Sequence, residues 1–222
     1  MVLAVASAAC SATHQVGTKE SPTGTSCAFL SPDVCKRLEP ADTGKADVMG
    51  LRYVNPNAQW THYKKILLAP VGFWGGDDTS VSKEDQIALT NYFDQALRQA
   101  LTKKLQVVQA PGPATIEIDV ALADVGKATP VLRTVSMVAP QAHASSTLKY
   151  VAAGTYAFVG GAQAEAKLSN ALSGEILGAG IDRHVGGGAE TAAQGDAEKA
   201  MNAWAEKLAE RLSAWTSGAA RP

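Results

Sequence analysis

The stretch AEAKLSNALSGEILGAGIDRH, residues 164–184, decides the fold that the sequence predicts. Small or apolar residues alternate with polar ones as far as Leu168, which is the two-residue period of a half-buried strand. The segment from Asn170 to Gly174 then supplies the residue types of a tight turn, and Glu175 to His184 returns with strand character. The stretch, extended back to Tyr156, therefore predicts an antiparallel hairpin.

A long amphipathic helix and three strands are predicted before this hairpin. Ser82, with Asp85 three residues later, resembles a capping box, and apolar residues at helical spacing carry the helix to about Leu105. No regular pattern is readable in residues 126–147. The three strands are Lys64–Trp74, which Pro70 interrupts, Gln106–Gln109, and the alternating run Ile116, Ile118, Val120 and Leu122.

A second long helix, Asp196–Trp215, completes the predicted fold. Strands with one polar face, combined with two one-sided helices, predict an α/β fold of the α+β type. We expect a two-layer sandwich in which both helices cover one face of a mixed or mostly antiparallel sheet, and residues 27–217 form a single compact domain. The helix places the following apolar residues on one side, which should lie on the sheet: Met201, Trp204, Leu208, Leu212 and Trp215.

Composition excludes two classes of partner or location. The 222 residues carry 20 Lys plus Arg against 21 Asp plus Glu, so no basic field exists to attract nucleic acid. No stretch approaches the roughly 20 consecutive apolar residues that a membrane-spanning helix needs. We therefore expect neither nucleic-acid binding nor a membrane span in the mature chain.

The N-terminus predicts an address in the cell envelope. MVLAVASAAC, residues 1–10, is apolar and small, and it resembles a signal peptide remnant (residues 1–9) followed by a lipobox whose Cys10 carries lipid. Ser11, in place of Asp, favours the outer membrane, and the Ser-, Thr- and Gly-rich residues 10–26 are predicted to form a lipidated flexible tether. The alternative is an ordinary signal peptide cut near Ala8, which would leave a soluble periplasmic protein.

The remaining cysteines, Cys27 and Cys35, have two interpretations. In an oxidising periplasm they are free to pair, since Cys10 is used for lipid. Spacing alone does not establish the geometry of a disulfide, so both thiols being reduced or buried stays an open alternative.

Motifs for catalysis and metal binding are absent from the sequence. The four histidines, His14, His62, His143 and His184, have no ligand spacing, and no P-loop, GxGxxG or GxSxG motif follows a strand. Asp182 lies near His184 at a strand end, where a structural ion pair is the commoner explanation. The sequence thus predicts no metal, no cofactor and no enzymatic activity.

Aromatic and acidic residues provide the remaining candidates for a binding surface. Phe73, Trp74, Asp77 and Asp78 follow a buried strand and precede a helix, which is a place where loops bind ligands. The acidic pair would equally complement the helix dipole. The aromatic residues Trp60 and Tyr63 fit either a partner-binding patch or packing against the core.

Three segments carry a family resemblance: CAFLSPDVCKRLEP, LRYVNPNAQWTHYKKILLAPVGFW and AEAKLSNALSGEILGAGIDRHVG. In this order, over roughly Phe29 to Trp215, they resemble the bacterial lipoproteins grouped as domain-of-unknown-function family 3313. The resemblance implies an envelope lipoprotein and brings no catalytic or binding residues with it.

Two functions of different classes follow from these observations. The preferred one is a non-catalytic scaffold or binding module, held at the periplasmic face of the outer membrane by its lipid and contacting an envelope protein. The alternative is a periplasmic enzyme whose site assembles from scattered polar residues. An enzyme should show a concave pocket with convergent titratable groups, and a binding module an apolar or aromatic surface.

Replacement of the lipid-bearing cysteine tests the predicted anchor. Cys10→Ala should release the chain from the membrane fraction, because the lipid is the only membrane attachment that the sequence predicts. Fractionation of cells expressing the wild-type chain and the variant measures this. A variant that still sediments with membranes would contradict the anchor.

Overall fold

Within the described residues, the sheet contains eight strands of mixed direction and is not closed. A computed structural model describes residues 27–40, 50–75, 79, 81–124, 162–184 and 196–222. The strands are β1 (Glu39–Pro40), β2 (Leu51–Val54), β3 (Lys65–Leu68), β4 (Gly72–Trp74), β5 (Gln106–Val108), β6 (Thr115–Asp124), β7 (Ala162–Asn170) and β8 (Ile176–His184). Their order is β1-β2-β8-β7-β6-β3-β5, and β4 also pairs with β6. Strands β3, β4, β5 and β6 pair in parallel, and the other pairs are antiparallel.

The predicted hairpin is confirmed as the pair β7–β8 at the centre of the sheet. Its turn is held by the side chain of Asn170, whose Oδ1 accepts hydrogen bonds from the N–H groups of Leu172 (2.9 Å) and Ser173 (3.1 Å). Gly174 closes the turn with φ of +72°, a conformation that favours glycine. Residues 156–161 of the predicted first strand lie outside the described residues.

The interruption at Pro70 is also confirmed. Leu68 lies opposite Ile118 in β6, whereas Gly72 lies opposite Ala121, so the β3–β4 segment contains one residue more than its partner strand. Proline cannot donate a ladder hydrogen bond, and the extra residue therefore falls where pairing is already broken.

Three helices accompany the sheet in the described part of the chain: α1 (Pro32–Cys35), α2 (Lys83–Thr102) and α3 (Asp196–Ser217). Ser82 caps α2 as predicted, since its Oγ accepts from the N–H of Asp85 at 3.1 Å. The helix ends at Thr102 and not near Leu105, although the N–H of Leu105 still bonds to the carbonyl of Leu101. The apolar pattern therefore extends three residues past the helix, because the turn from Leu101 to Leu105 keeps this helix-type hydrogen bond.

The two-layer α+β sandwich is confirmed. Helices α2 and α3 pack on each other and on one face of the sheet, and the side chains between the layers form the main core. Apolar residues of β6 alternate into this core, as the period of the sequence predicts. The most deeply buried members include Ile66, Leu89, Phe93, Leu97, Leu101, Ile116, Ile118, Leu122, Met201 and Leu212.

Three features differ from the sequence predictions. Strands β1 and β2 were not predicted, because β2 has only four residues and its pairing with distant β8 defines it. The second sheet face is not wholly solvated, since residues 27–38 cover part of it. A separate apolar cluster lies there, formed by Leu30, Val34, Leu51, Ala179 and Ile181.

The third difference concerns the face of α3 that lies on the sheet. Met201 and Leu212 are fully buried as expected, but Leu208 and Trp215 are only partly buried. Ala205 and Ala209, which the predicted stripe omitted, are buried beneath the helix. The stripe on the sheet is therefore rotated away from Leu208.

A matched pair of substitutions in α3 tests this rotation. Leu212→Asp should remove most of the stability of the fold, because it places a charge without a partner in the core. Leu208→Asp, the same change one turn away, should cost less than half as much, because the carboxylate can reach water. Chemical denaturation of both variants measures the difference. Equal losses would show that Leu208 is as deeply docked as Leu212.

Candidate functional site

A buried carboxylate joins the N-terminal segment to the sheet. Glu165 of β7 has no exposed surface, and its Oε2 accepts hydrogen bonds from the N–H groups of Phe29 and Leu30, both at 2.9 Å. Its Oε1 accepts from the N–H of Ala28 and from Nε2 of Gln163, both at 2.7 Å. Four donors thus replace the water that the carboxylate loses on burial.

The segment bound by Glu165 is a small ring. Cys27 and Cys35 are joined by a disulfide, with Cα atoms 6.1 Å apart. Leu30 and Val34, which lie between the two cysteines, pack into the second apolar cluster. The ring and its contacts make residues 27–35 a fixed part of the second sheet face.

Of the candidate ligand loop, the structure describes Phe73 and Trp74. Phe73 lies on the helix side of β4 and packs against the main core, whereas Trp74 faces the other side and is 50% exposed. Trp74 contacts Phe29 of the N-terminal segment, with ring centroids 5.7 Å apart. Asp77 and Asp78 lie outside the described residues.

Trp60 and Tyr63 belong to the core and not to a surface patch, since each is 5% exposed. Trp60 makes an edge contact with Trp215, with ring centroids 4.8 Å apart. Its Nε1 is buried without a hydrogen-bond partner among the described residues. Trp60 and Trp215 line an open concavity of about 490 Å³ beside Gly218 and Pro222.

A second concave feature is a groove on the helix side of the sheet. It is lined by α3, by strands β2, β6, β7 and β8, and by Phe93 and Leu97 of α2. Its enclosed volume is about 70 Å³. Glycines at 178 and 180 leave the β8 side of the floor without side chains, while Leu208 and Trp215 line the α3 side.

The groove contains one buried carboxylate, Asp182, which is 3% exposed. Asp182 accepts a hydrogen bond from Nε1 of Trp204 at 2.9 Å, so the carboxylate ties β8 to α3. This contact gives Asp182 a structural role, in keeping with the interpretation of Asp182 as structural and not acid–base. The side chains of Arg183 and His184 lie outside the described residues.

No three side chains of His, Cys, Asp or Glu converge to hold a metal ion within the described residues. His62 is exposed, and His14 and His143 lie outside those residues, as does Cys10. No helix in the described ranges is both long and apolar enough to cross a membrane.

The Glu165 contacts and the groove were not predicted from the sequence. Alternation placed Glu165 on the polar face of its strand, but its partners lie up to 137 residues away along the chain. The glycines of β8 gave no signal for the groove, because a Cβ at Gly178 would already meet the carbonyl oxygen of Tyr53 at 3.3 Å and Cδ1 of Leu168 at 3.5 Å.

One family model matches most of the chain. The model of a family described as "Protein of unknown function (DUF3313)" matches residues 27–208. No curated protein matches the sequence.

Two solved structures that resemble the chain are PelC dodecamers from Paraburkholderia phytofirmans. A PelC variant is 12% identical, with 73% of this chain and 94% of that chain covered and a TM-score of 0.38. The second PelC structure is 9% identical, with coverage of 71% and 94% and a TM-score of 0.38.

The Glu165 contacts predict a specific loss of stability. Glu165→Gln should destabilise the fold by about 2 kcal/mol or more. Both oxygens of the carboxylate accept hydrogen bonds from backbone N–H groups, whereas an amide has only one acceptor oxygen, so at least one buried N–H group would lose its partner. Glu117→Gln, a change of the same kind on the same sheet face, should shift stability by about 0.5 kcal/mol or less. Urea denaturation monitored by circular dichroism compares the two. Similar midpoints for both variants would contradict the role of Glu165.

Proposed function

This chain belongs to the DUF3313 family of proteins of unknown function, and from that premise we propose that it is an outer-membrane lipoprotein acting as a non-catalytic binding module. Cys10 carries the lipid, residues 10–26 connect it to the folded part, and the groove between α3 and β8 is the binding surface. The protein faces the periplasm in this proposal, and its partner is another component of the envelope.

The groove is the observation that carries the proposal. Its floor and α3 wall are largely apolar, and two large residues at its margin, Leu208 and Trp215, stay partly exposed. Apolar side chains left partly open beside a concave surface are typical of protein-binding sites.

The position of the anchor supports the same assignment. The described chain begins at Cys27, in the ring that Glu165 holds on the second sheet face. The groove opens on the helix face, which is the opposite side of the sheet. A connection to lipid at the N-terminal ring would therefore leave the groove accessible to a partner.

An enzymatic role has weaker support. Asp182, which is the carboxylate among the described lining residues of the groove, already accepts a hydrogen bond from Trp204. A general acid or base needs access to a substrate proton, and burial beneath an indole ring obstructs that access.

Site-specific photo-crosslinking in intact cells tests the binding role. A benzophenone amino acid at Leu208, in the lipidated full-length chain, should give a discrete crosslinked product with one envelope component. Ile87 on α2 is 61% exposed and provides the matched control position, at which we expect no such product. No product at Leu208, or the same products at both positions, would contradict the groove as the binding surface.

A further inference from the structure

The groove has a basic rim. Arg52 of β2 and Lys207 of α3 line it, and neither side chain has an ion-pair or hydrogen-bond partner within the described residues. Arg211, one turn after Lys207, also lines the groove. Positive charge therefore borders both sides of a groove whose lining is largely apolar but includes Asp182, whereas the chain as a whole has a formal net charge of −1.

Four charged residues in the second half of α3, Glu206, Lys207, Glu210 and Arg211, are divided between its two sides. Glu206 forms an ion pair with Lys103 beyond the end of α2 at 3.0 Å, and Glu210 approaches Lys104 at 4.0 Å. Each acidic residue precedes one of the groove-lining basic residues by one position, which is a rotation of about 100° on a helix. The acidic side chains are thus turned towards α2, and the basic ones border the groove.

The size of the groove limits what can occupy it. An enclosed volume of about 70 Å³ is far below the roughly 300–1,000 Å³ of pockets that bind whole small molecules. It is suited to part of one apolar side chain, in the way that interface pockets receive an anchor residue. A lipid acyl chain would need a much longer apolar channel.

Residues 125–161 of this chain, which lie outside the described residues, do not complement the charge of the groove. Residues 125–161 leave β6 and return to β7, and they contain Lys127, Arg133 and Lys149 but no Asp or Glu. Placing this segment beside Arg52 and Lys207 would bring like charges together, which is unfavourable at an interface. Charge therefore disfavours residues 125–161 as the occupant.

We propose that the groove binds an acidic segment of a partner protein, in which one apolar side chain enters the groove and flanking carboxylates pair with Arg52 and Lys207. This inference rests on the proposed function, because it names the chemistry of the partner at the same surface. The apolar anchor supplies affinity, and the basic rim selects for acidic sequences and raises the association rate.

Binding of designed peptides to the full chain with Cys10→Ala tests the proposal. The probe is a fluorescein-labelled peptide with one leucine flanked on both sides by glutamates. Two matched peptides replace the glutamates by lysines or the leucine by serine. We expect the acidic leucine peptide alone to bind, to weaken with added salt, and to shift the amide NMR signals of residues 178, 180 and 208.

Charge reversal in the protein provides the matched variants. Lys207→Glu combined with Arg52→Glu should weaken binding of the acidic peptide by roughly tenfold or more, as expected for close charge pairs across an interface. Lys103→Glu reverses a charge on the α2 side and should leave binding within about twofold, because it lies away from the groove. Lys207→Gln, a milder change, should give an intermediate loss of affinity for the acidic peptide. It replaces the double variant as the test if that variant fails to fold.

Several outcomes would overturn the acidic-segment proposal. These are equal binding of the lysine or serine peptide, signal shifts only outside the groove, no binding of the acidic peptide, or unchanged affinity in the Lys207 variants. Shifts at the groove with phosphatidylglycerol vesicles, but not with the acidic peptide, would assign it to lipid instead. Crosslinking at Leu208 that persists while the acidic peptide fails would leave the binding module standing and reject only its acidic partner.

Discussion

The position of the N-terminal segment depends on one buried carboxylate. Glu165 lies on a central strand with no exposed surface, where an ionised group without partners would be too costly to keep. Three successive backbone N–H groups and one side-chain amide supply the partners. Because the backbone donors come from residues 28–30, the charge is compensated only when this segment lies on the second sheet face.

This requirement divides the surfaces of the molecule. The cystine ring closes part of the second face with its own apolar cluster, while α2 and α3 cover most of the other face. The groove lies beside α3, where Gly178 and Gly180 of β8 place no side chains over the sheet. The groove is therefore a consequence of how two helices are placed on an eight-stranded sheet.

Local signals explain which parts of the fold could be predicted from sequence. The Asn170–Gly174 turn and the Ser82 cap rest on hydrogen bonds between near neighbours, and both are confirmed. Strand β2 could not be predicted in this way, because four residues carry too little periodicity and their pairing is with distant β8. The buried face of α3 was partly missed because the buried Ala205 and Ala209 give a weaker apolar signal than Leu208.

The candidate site was harder to predict, since it depends on what different elements bring together. The aromatic residues at the end of β4 and the acidic pair after it made Phe73 and Trp74 candidates, yet these two side chains lie on opposite sides of the sheet. The groove instead combines small residues of one strand with the flank of a helix from the end of the chain. A single sequence contains no direct record of that proximity.

Native-state hydrogen exchange of the full chain tests the central claim most directly. If Glu165 holds the N-terminal segment, the amides of Ala28, Phe29 and Leu30 should exchange with protection comparable to those of β7. Exchange of these three amides at the rate of an unstructured peptide, while β7 stays protected, would contradict the account.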